Sequence, residues 1–210
     1  MRTHLLFDFD GTLVDSLAIG LKAMNTVGSR HGYKQIQPEE LDELMKVPAR
    51  DRFRRYGVSM MKLPGLAMEF YREYRESMKE LALFQGVSEM LDTLSQAGYH
   101  MSILSSNHPE NIESFMEKQN INCFQQIITS NRLFGKDRMI RRYMRNHKIQ
   151  QNQLVYIGDE LRDIEACKKA EVPIIWVSYG FDPEALAVTA EPEHMAGSPE
   201  EVARIILQGT

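Results

Sequence analysis

Leu5-Leu6-Phe7-Asp8-Phe9-Asp10-Gly11-Thr12 is the stretch that decides the fold. An apolar run from Leu5 to Phe9, interrupted by acids and closed by a glycine turn at Gly11, predicts a short buried strand. Residues i and i+2 of a strand share a face, so Asp8 and Asp10 point the same way. They stand at the strand's C-terminal end, where open α/β sheets bind their ligands. Two acids side by side cost electrostatic energy unless a charged partner such as a cation intervenes. A pair of solvated loop acids is the plain alternative; the apolar strand before them and Gly11-Thr12 after them argue against it.

Working outward, short apolar runs recur at Tyr99–Leu104, Phe124–Thr129, Leu154–Gly158 and Ile174–Val177. Helical patterns separate them at Val87–Ala97, Glu110–Gln119, Asp137–His147 and Arg162–Ala170. Strands alternating with helices of this length predict an α/β fold, a Rossmann-like parallel sheet. Residues 16–83 break the alternation: they show helical periodicity at Leu17–His31, Pro38–Met45, Asp51–Tyr56 and Pro64–Lys79, and no strand. The expected organisation is a core of residues 1–15 and 84–210 with a helical insert, 16–83. The tail from Glu191 reads as a loop followed by a helix opening at Ser198-Pro199, a good cap and first position.

Composition narrows the classes. The 210 residues are 43% hydrophobic and 26% charged, with a net charge of -4, an ordinary globular profile. No long basic block points to nucleic acid or an anionic membrane. No run approaches the roughly 18 apolar residues of a membrane span. Asp8 and Asp10 cut the first apolar run too short for a signal peptide. Cys123 and Cys167 are far apart and have no partner at zinc-ligand spacing, so they read as reduced thiols of a cytoplasmic protein.

Three further segments carry chemistry. Tyr156-Ile157-Gly158-Asp159-Glu160-Leu161-Arg162-Asp163 is again a strand ending in glycine and acids. Asp159 and Asp163, four apart, share a face if a helix has begun. Glu160 and Asp163 also suit a helix N-terminus. Asp159, at the strand tip, reads as a ligand for Mg²⁺, which takes hard oxygens. Ile103-Leu104-Ser105-Ser106-Asn107 runs a strand into hydroxyls and backbone N–H groups fit to hold phosphate oxygens, or into a plain helix cap. Lys136, after Gly135 at a helix start, reads either as an ordinary surface lysine or, since it opposes the helix dipole, as a sign of an anion nearby.

In this order the four segments resemble the motifs of the haloacid dehalogenase-like hydrolase superfamily, over nearly the whole chain. Asp8-x-Asp10-Gly11-Thr12 is similar to the first motif, Ser106 to the second, Lys136 to the third, and Gly158-Asp159-x-x-x-Asp163 to the fourth. The line Phe84-Gln85-Gly86-Val87 through Gly158-Asp159-Glu160 is closest to the phosphoglycolate-phosphatase-like branch, and the insert resembles its helical cap.

The resemblance implies a Mg²⁺-dependent phosphatase of a small phosphorylated metabolite. Asp8 would be the nucleophile, forming an aspartyl-phosphate. Asp10 would protonate the leaving oxygen and then activate water. Asp8, Asp159 and the Asp10 carbonyl would hold Mg²⁺. Ser106, Asn107 and Lys136 would hold phosphoryl oxygens, with Ser105 an alternative to Ser106. Thr12 and Asp163 would support the site. In the insert, Lys46-Val47-Pro48-Ala49-Arg50-Asp51-Arg52 resembles a substrate-reading loop, which singles out Arg50; the alternative is that Arg50, Arg52, Arg54 and Arg55 form a solvated helix face. His108 stands where many relatives carry Lys.

A phosphomutase such as β-phosphoglucomutase is the alternative activity, because the four motifs do not exclude it. A dehalogenase needs no acid at Asp10. A catalytically dead binding or regulatory protein on this fold is a further alternative, against which the filled charged positions argue. His4, His31, His100, His147 and His194 read as scattered, and Trp176 as core.

Overall fold

The structure, a computed structural model, describes residues 3–47, 49–129 and 135–209, the side chains of Pro38, Asp42, Ala49 and Arg50 excepted. The chain divides into two compact units. One comprises Met1–Asp15 and Leu83–Thr210, the other Ser16–Ala82.

The first unit holds strands β1 (His4–Phe7), β4 (His100–Ser105), β5 (Phe124–Thr129), β6 (Leu154–Gly158), β7 (Ile174–Val177) and β8 (His194–Ala196). Two short strands, β2 (Val14–Asp15) and β3 (Ala82–Leu83), pair with each other. The main sheet runs β5-β4-β1-β6-β7-β8, and its pairings are all parallel. The predicted α/β core is therefore present. Strand order turns back at β1: the chain moves outward through β4 and β5, then returns to β6 on the other side. A ligand crevice belongs at that reversal.

Parallel strands are covered on both faces and read as continuous apolar runs. Leu5, Leu6 and Phe7, and Leu154, Val155, Tyr156 and Ile157, are accordingly fully buried. Alternate residues Leu6, Leu104, Tyr156 and Trp176 pack with Ile140, Ile164 and Ala187. Those three come from α7 (Lys136–His147), α8 (Leu161–Ala170) and α9 (Glu184–Ala190). Two further helices, α5 (Val87–Gln96) and α10 (Pro199–Leu207), pack on each other. The Ser198 hydroxyl accepts the Glu201 N–H at 3.2 Å, the expected cap. Between β4 and β5 lies α6 (Pro109–Lys118).

The second unit contains α1 (Leu17–Arg30), α2 (Pro38–Met45), α3 (Ala49–Arg55) and α4 (Leu63–Ser77), with α1 packed on α4. No helix among the described residues is long and apolar enough to cross a membrane.

Three expectations need correction, the first being that residues 16–83 hold no strand, since Ala82–Leu83 forms β3 against β2. The tail is not only loop and helix, because His194–Ala196 forms β8. The edge of β7 is open to pairing, and Ile175, Trp176 and Val177 take His194, Met195 and Ala196 in register. The histidines are not all scattered. His4 and His100, partners in register at the start of β1 and β4, bring their rings to 4.8 Å, and His147 lies 5.6 Å from His4.

Candidate active site

Asp8 follows β1, Ser106 follows β4 and Asp159 follows β6, so neighbouring strands deliver all three to one edge of the sheet. Lys136, the first residue of α7, joins them. Its Nζ donates to Asp8 Oδ2 at 2.5 Å and to Asp163 Oδ1 at 2.6 Å. All of these but Ser106 are buried, and Glu160 is buried with them, none more than 7% exposed. Burial alone would lower the Lys136 pKa. Asp163 and Asp8 outweigh it and hold the ammonium protonated, above its usual range. A buried ammonium is tolerable only when paired in this way.

The acids show the opposite strain. Burial, then Glu160, Asp8 and Asp163, pushes Asp159 well above the carboxylate range. Burial also pushes Asp163 up to about 7, with Lys136 opposing and Asp8 and Glu160 adding. Carboxylate oxygens of Asp8, Glu160 and Asp163 all lie within 4.8 Å of one another. Such an excess of buried hard oxygen donors over cations fits a divalent hard cation, which would relieve the repulsion.

Asp159 itself is held from two sides. Thr12 Oγ1 donates to its Oδ1 at 2.8 Å, and the Phe181 N–H donates to its Oδ2 at 2.8 Å. Trp176 Nε1 donates to its carbonyl at 2.6 Å. Gly11 has φ +77, and a Cβ there would lie 2.1 Å from Asp159 Oδ2. A Cβ on Gly180 would lie 2.2 Å from the Asp159 Cβ and 2.5 Å from the Gly11 carbonyl. Tyr179 donates its hydroxyl to the Thr12 carbonyl at 3.3 Å, and the Leu161 N–H donates to Asp182 Oδ2 at 2.8 Å. Residues 176–182 thus clamp both acid-bearing turns. Trp176 is core as expected, and it also donates into this clamp.

Asp10 is held by Asn107, whose Nδ2 donates to Asp10 Oδ2 at 2.8 Å. Asn107 Oδ1 accepts from the His108 N–H at 2.7 Å and from Asn111 Nδ2 at 3.0 Å. The Asn107 side chain, expected at the phosphoryl oxygens, is engaged here with Asp10 and orients it. Ser105 Oγ accepts the Asn107 N–H at 3.1 Å, a turn-forming role. Ser106 Oγ instead lies 3.5 Å from an Arg162 nitrogen.

Asn111, Tyr179, Phe181 and Arg162 are not singled out by the sequence, in which Glu160 suits a helix N-terminus as well as a site. The only signal for Glu160 and Arg162 was their place inside the fourth segment. The Arg50 side chain lies outside the described residues, as do Pro48, Leu133 and Phe134 of the quoted motifs. Arg52 is committed elsewhere: its Nε donates to the Val47 carbonyl at 2.6 Å and a terminal nitrogen to the Met45 carbonyl at 2.9 Å.

Known proteins resemble this chain along nearly its whole length. The family model described as "haloacid dehalogenase-like hydrolase" matches residues 5–177. A phosphoglycolate phosphatase of Synechococcus elongatus is 29% identical over 205 residues, 97% of each chain. One of Agrobacterium fabrum is 26% identical over 90% of this chain and 85% of its own. The crystal structure of a predicted phosphatase from Clostridium acetobutylicum superposes with a TM-score of 0.84 at 26% identity, covering 99% of both chains. The chain belongs to the haloacid dehalogenase-like hydrolase family, in its phosphoglycolate-phosphatase-like branch, and is a phosphatase.

Proposed function

We propose that this chain hydrolyses a small phosphate monoester of the phosphoglycolate type through an aspartyl-phosphate on Asp8, with Mg²⁺ as cofactor. One observation carries the reading: Lys136 bridges Asp8 and Asp163 inside a buried cluster of acids. A carboxylate attacking a phosphate dianion meets repulsion, and a fixed ammonium on the attacking group reduces it. Asp8 attacks phosphorus, and the bond to the ester oxygen breaks. Asp10, oriented by Asn107, gives its proton to that oxygen and then takes one from the water that hydrolyses the acyl phosphate. Ser106 and Lys136 hold phosphoryl oxygens, and Asp163 holds Lys136.

Asp8 and Asp159 are the carboxylates at hand for Mg²⁺, with the Asp10 carbonyl as a further donor. The ion would neutralise the transferred group. We assign core chemistry to residues 1–15 and 84–210, and choice of leaving group to the insert 16–83, with Arg50 as the candidate contact. The two free thiols, Cys123 and Cys167, support a reducing, cytoplasmic setting.

Asp8→Asn tests the reading. Turnover of an aryl phosphate should fall by about 10⁴-fold or more, as when a nucleophile is removed. EDTA should abolish wild-type activity and Mg²⁺ restore it. Substantial activity in Asp8→Asn, or full activity in EDTA, sinks the corresponding part. Phosphate released as fast as substrate disappears distinguishes hydrolysis from a mutase.

A further inference from the structure

Arg162 is the second residue of α8, and its guanidinium is turned toward the catalytic edge. Its Nε donates to Glu160 Oε2 at 2.5 Å, and a terminal nitrogen pairs with the same carboxylate. That terminal nitrogen also lies 3.5 Å from Ser106 Oγ. Glu160 in turn belongs to the group of carboxylates formed with Asp8 and Asp163. The pair is only slightly accessible: 15% of the Arg162 side chain and 9% of that of Glu160. Arg162 therefore sits between the acid cluster and the hydroxyl assigned to phosphoryl oxygens.

The charges ask for such a residue. Asp8, Asp159, Glu160 and Asp163 are buried around a single lysine, and a bound phosphoryl group adds about two negative charges at neutral pH. A lysine is a point charge, whereas the planar guanidinium matches two oxygens of a phosphate at once.

We propose that Arg162 is a phosphoryl-binding residue. Its fork takes the oxygens of the bound phosphate beside Ser106, and Glu160 is the positioning residue that holds the fork in place. The inference rests on the reading of Ser106 and Asp8 given above.

The test is binding of inorganic phosphate to the full chain with Mg²⁺ present, by calorimetry, which needs no turnover. Arg162→Gln should weaken binding by about 10–150-fold, the range for losing hydrogen bonds to a charged group. Arg162→Lys should recover only part of that affinity, and melting curves establish that each variant is folded. Glu160→Gln should weaken binding less than Arg162→Gln, because the fork is loosened and not removed.

A folded Arg162→Gln that binds phosphate within about twofold of wild type overturns the proposal. If that variant does not fold, Arg162→Lys decides, and wild-type affinity there overturns it equally. Failure of the wild type to bind phosphate overturns it as well. If the wild type binds phosphate and hydrolyses no ester, the functional reading falls and Arg162 stands. If it hydrolyses esters and Arg162→Gln binds phosphate normally, only Arg162 falls.

Discussion

The two units of this chain hold their polar residues in opposite ways. At the catalytic edge the charged side chains are buried and satisfy one another across long stretches of sequence: Lys136 reaches Asp8, and Thr12 reaches Asp159. In Ser16–Ala82 the ion pairs of the described residues lie at or near the surface: Lys22 with Glu80, Lys34 with Glu40, Lys46 with Glu43 and Arg54 with Asp51 join exposed partners, while Arg30 and Arg72 reach Glu73 and His31 reaches Glu69, both half-buried. Exposed pairs contribute about 0–1 kcal/mol each, so they place no tight constraint on the residues that make them. The large exposed methionines Met61 and Met68 also lie in the helical unit. Substitution should therefore be costly and specific at the catalytic edge, and mild or selective in the insert.

The largest effect along this contrast is expected at Asp10. Asp10→Asn keeps the size of the side chain and removes the acid–base function proposed for it, so kcat should fall by about 10²–10⁴-fold. Rapid-quench measurement should show both formation and hydrolysis of the phosphoenzyme slowed. A variant slowed in one half-reaction alone would mean that Asp10 serves only one of them.

Next comes Gly180, distant from Asp8 in sequence and packed on Asp159. Gly180→Ala forces a Cβ to 2.2 Å from the Asp159 Cβ, so the loop or the carboxylate must move. Overpacking of this kind costs about 1–3 kcal/mol. If Asp159 serves the cation, the Mg²⁺ concentration for half-maximal activity should rise several-fold, and saturating Mg²⁺ should rescue part of the rate. A stability loss with an unchanged Mg²⁺ requirement would make the clamp purely structural.

How much of this was legible in the sequence follows the same division. Asp8, Asp10 and Asp159 could be read because each sits at the end of an apolar run, where strand geometry alone fixes the direction. Lys136 could be read mainly through the order of the segments, since its place at a helix start is only a faint local sign of an anion and a surface lysine can stand there too. Trp176, Tyr179 and Phe181 could not be read as partners of Asp159 and Thr12. Apolar pattern reports burial and is silent on which backbone carbonyl an indole N–H will meet. His194–Ala196 was invisible as a strand because three residues between Pro192 and Gly197 carry no period of their own. Its pairing comes from the edge that β7 offers.

In the insert, Arg50 provides a selective test. Arg50→Ala should raise KM by about tenfold for a substrate carrying a carboxylate or a second phosphate, the cost of one lost charge-assisted hydrogen bond. It should leave a neutral aryl phosphate nearly unchanged. Equal changes on both substrates, or none on either, would show that this segment does not read the leaving group.

The smallest effect is the sharpest contrast with Gly180. Gly65 lies in the first turn of α4, exposed, with open space where a Cβ would stand. It has no left-handed backbone to protect, unlike Gly57 at φ +73. Alanine there removes conformational freedom from the unfolded chain and raises helix propensity, which stabilises by about 0.4–1 kcal/mol. Gly65→Ala should raise the melting temperature by a few degrees and leave kcat and the Mg²⁺ requirement unchanged, whereas the same substitution at Gly180 should lower the first and disturb both of the others. Calorimetric melts and a Mg²⁺ titration on the two variants decide it. A destabilised Gly65→Ala would mean that this part of the insert is packed as closely as the catalytic edge, and the contrast between the two units would fail there.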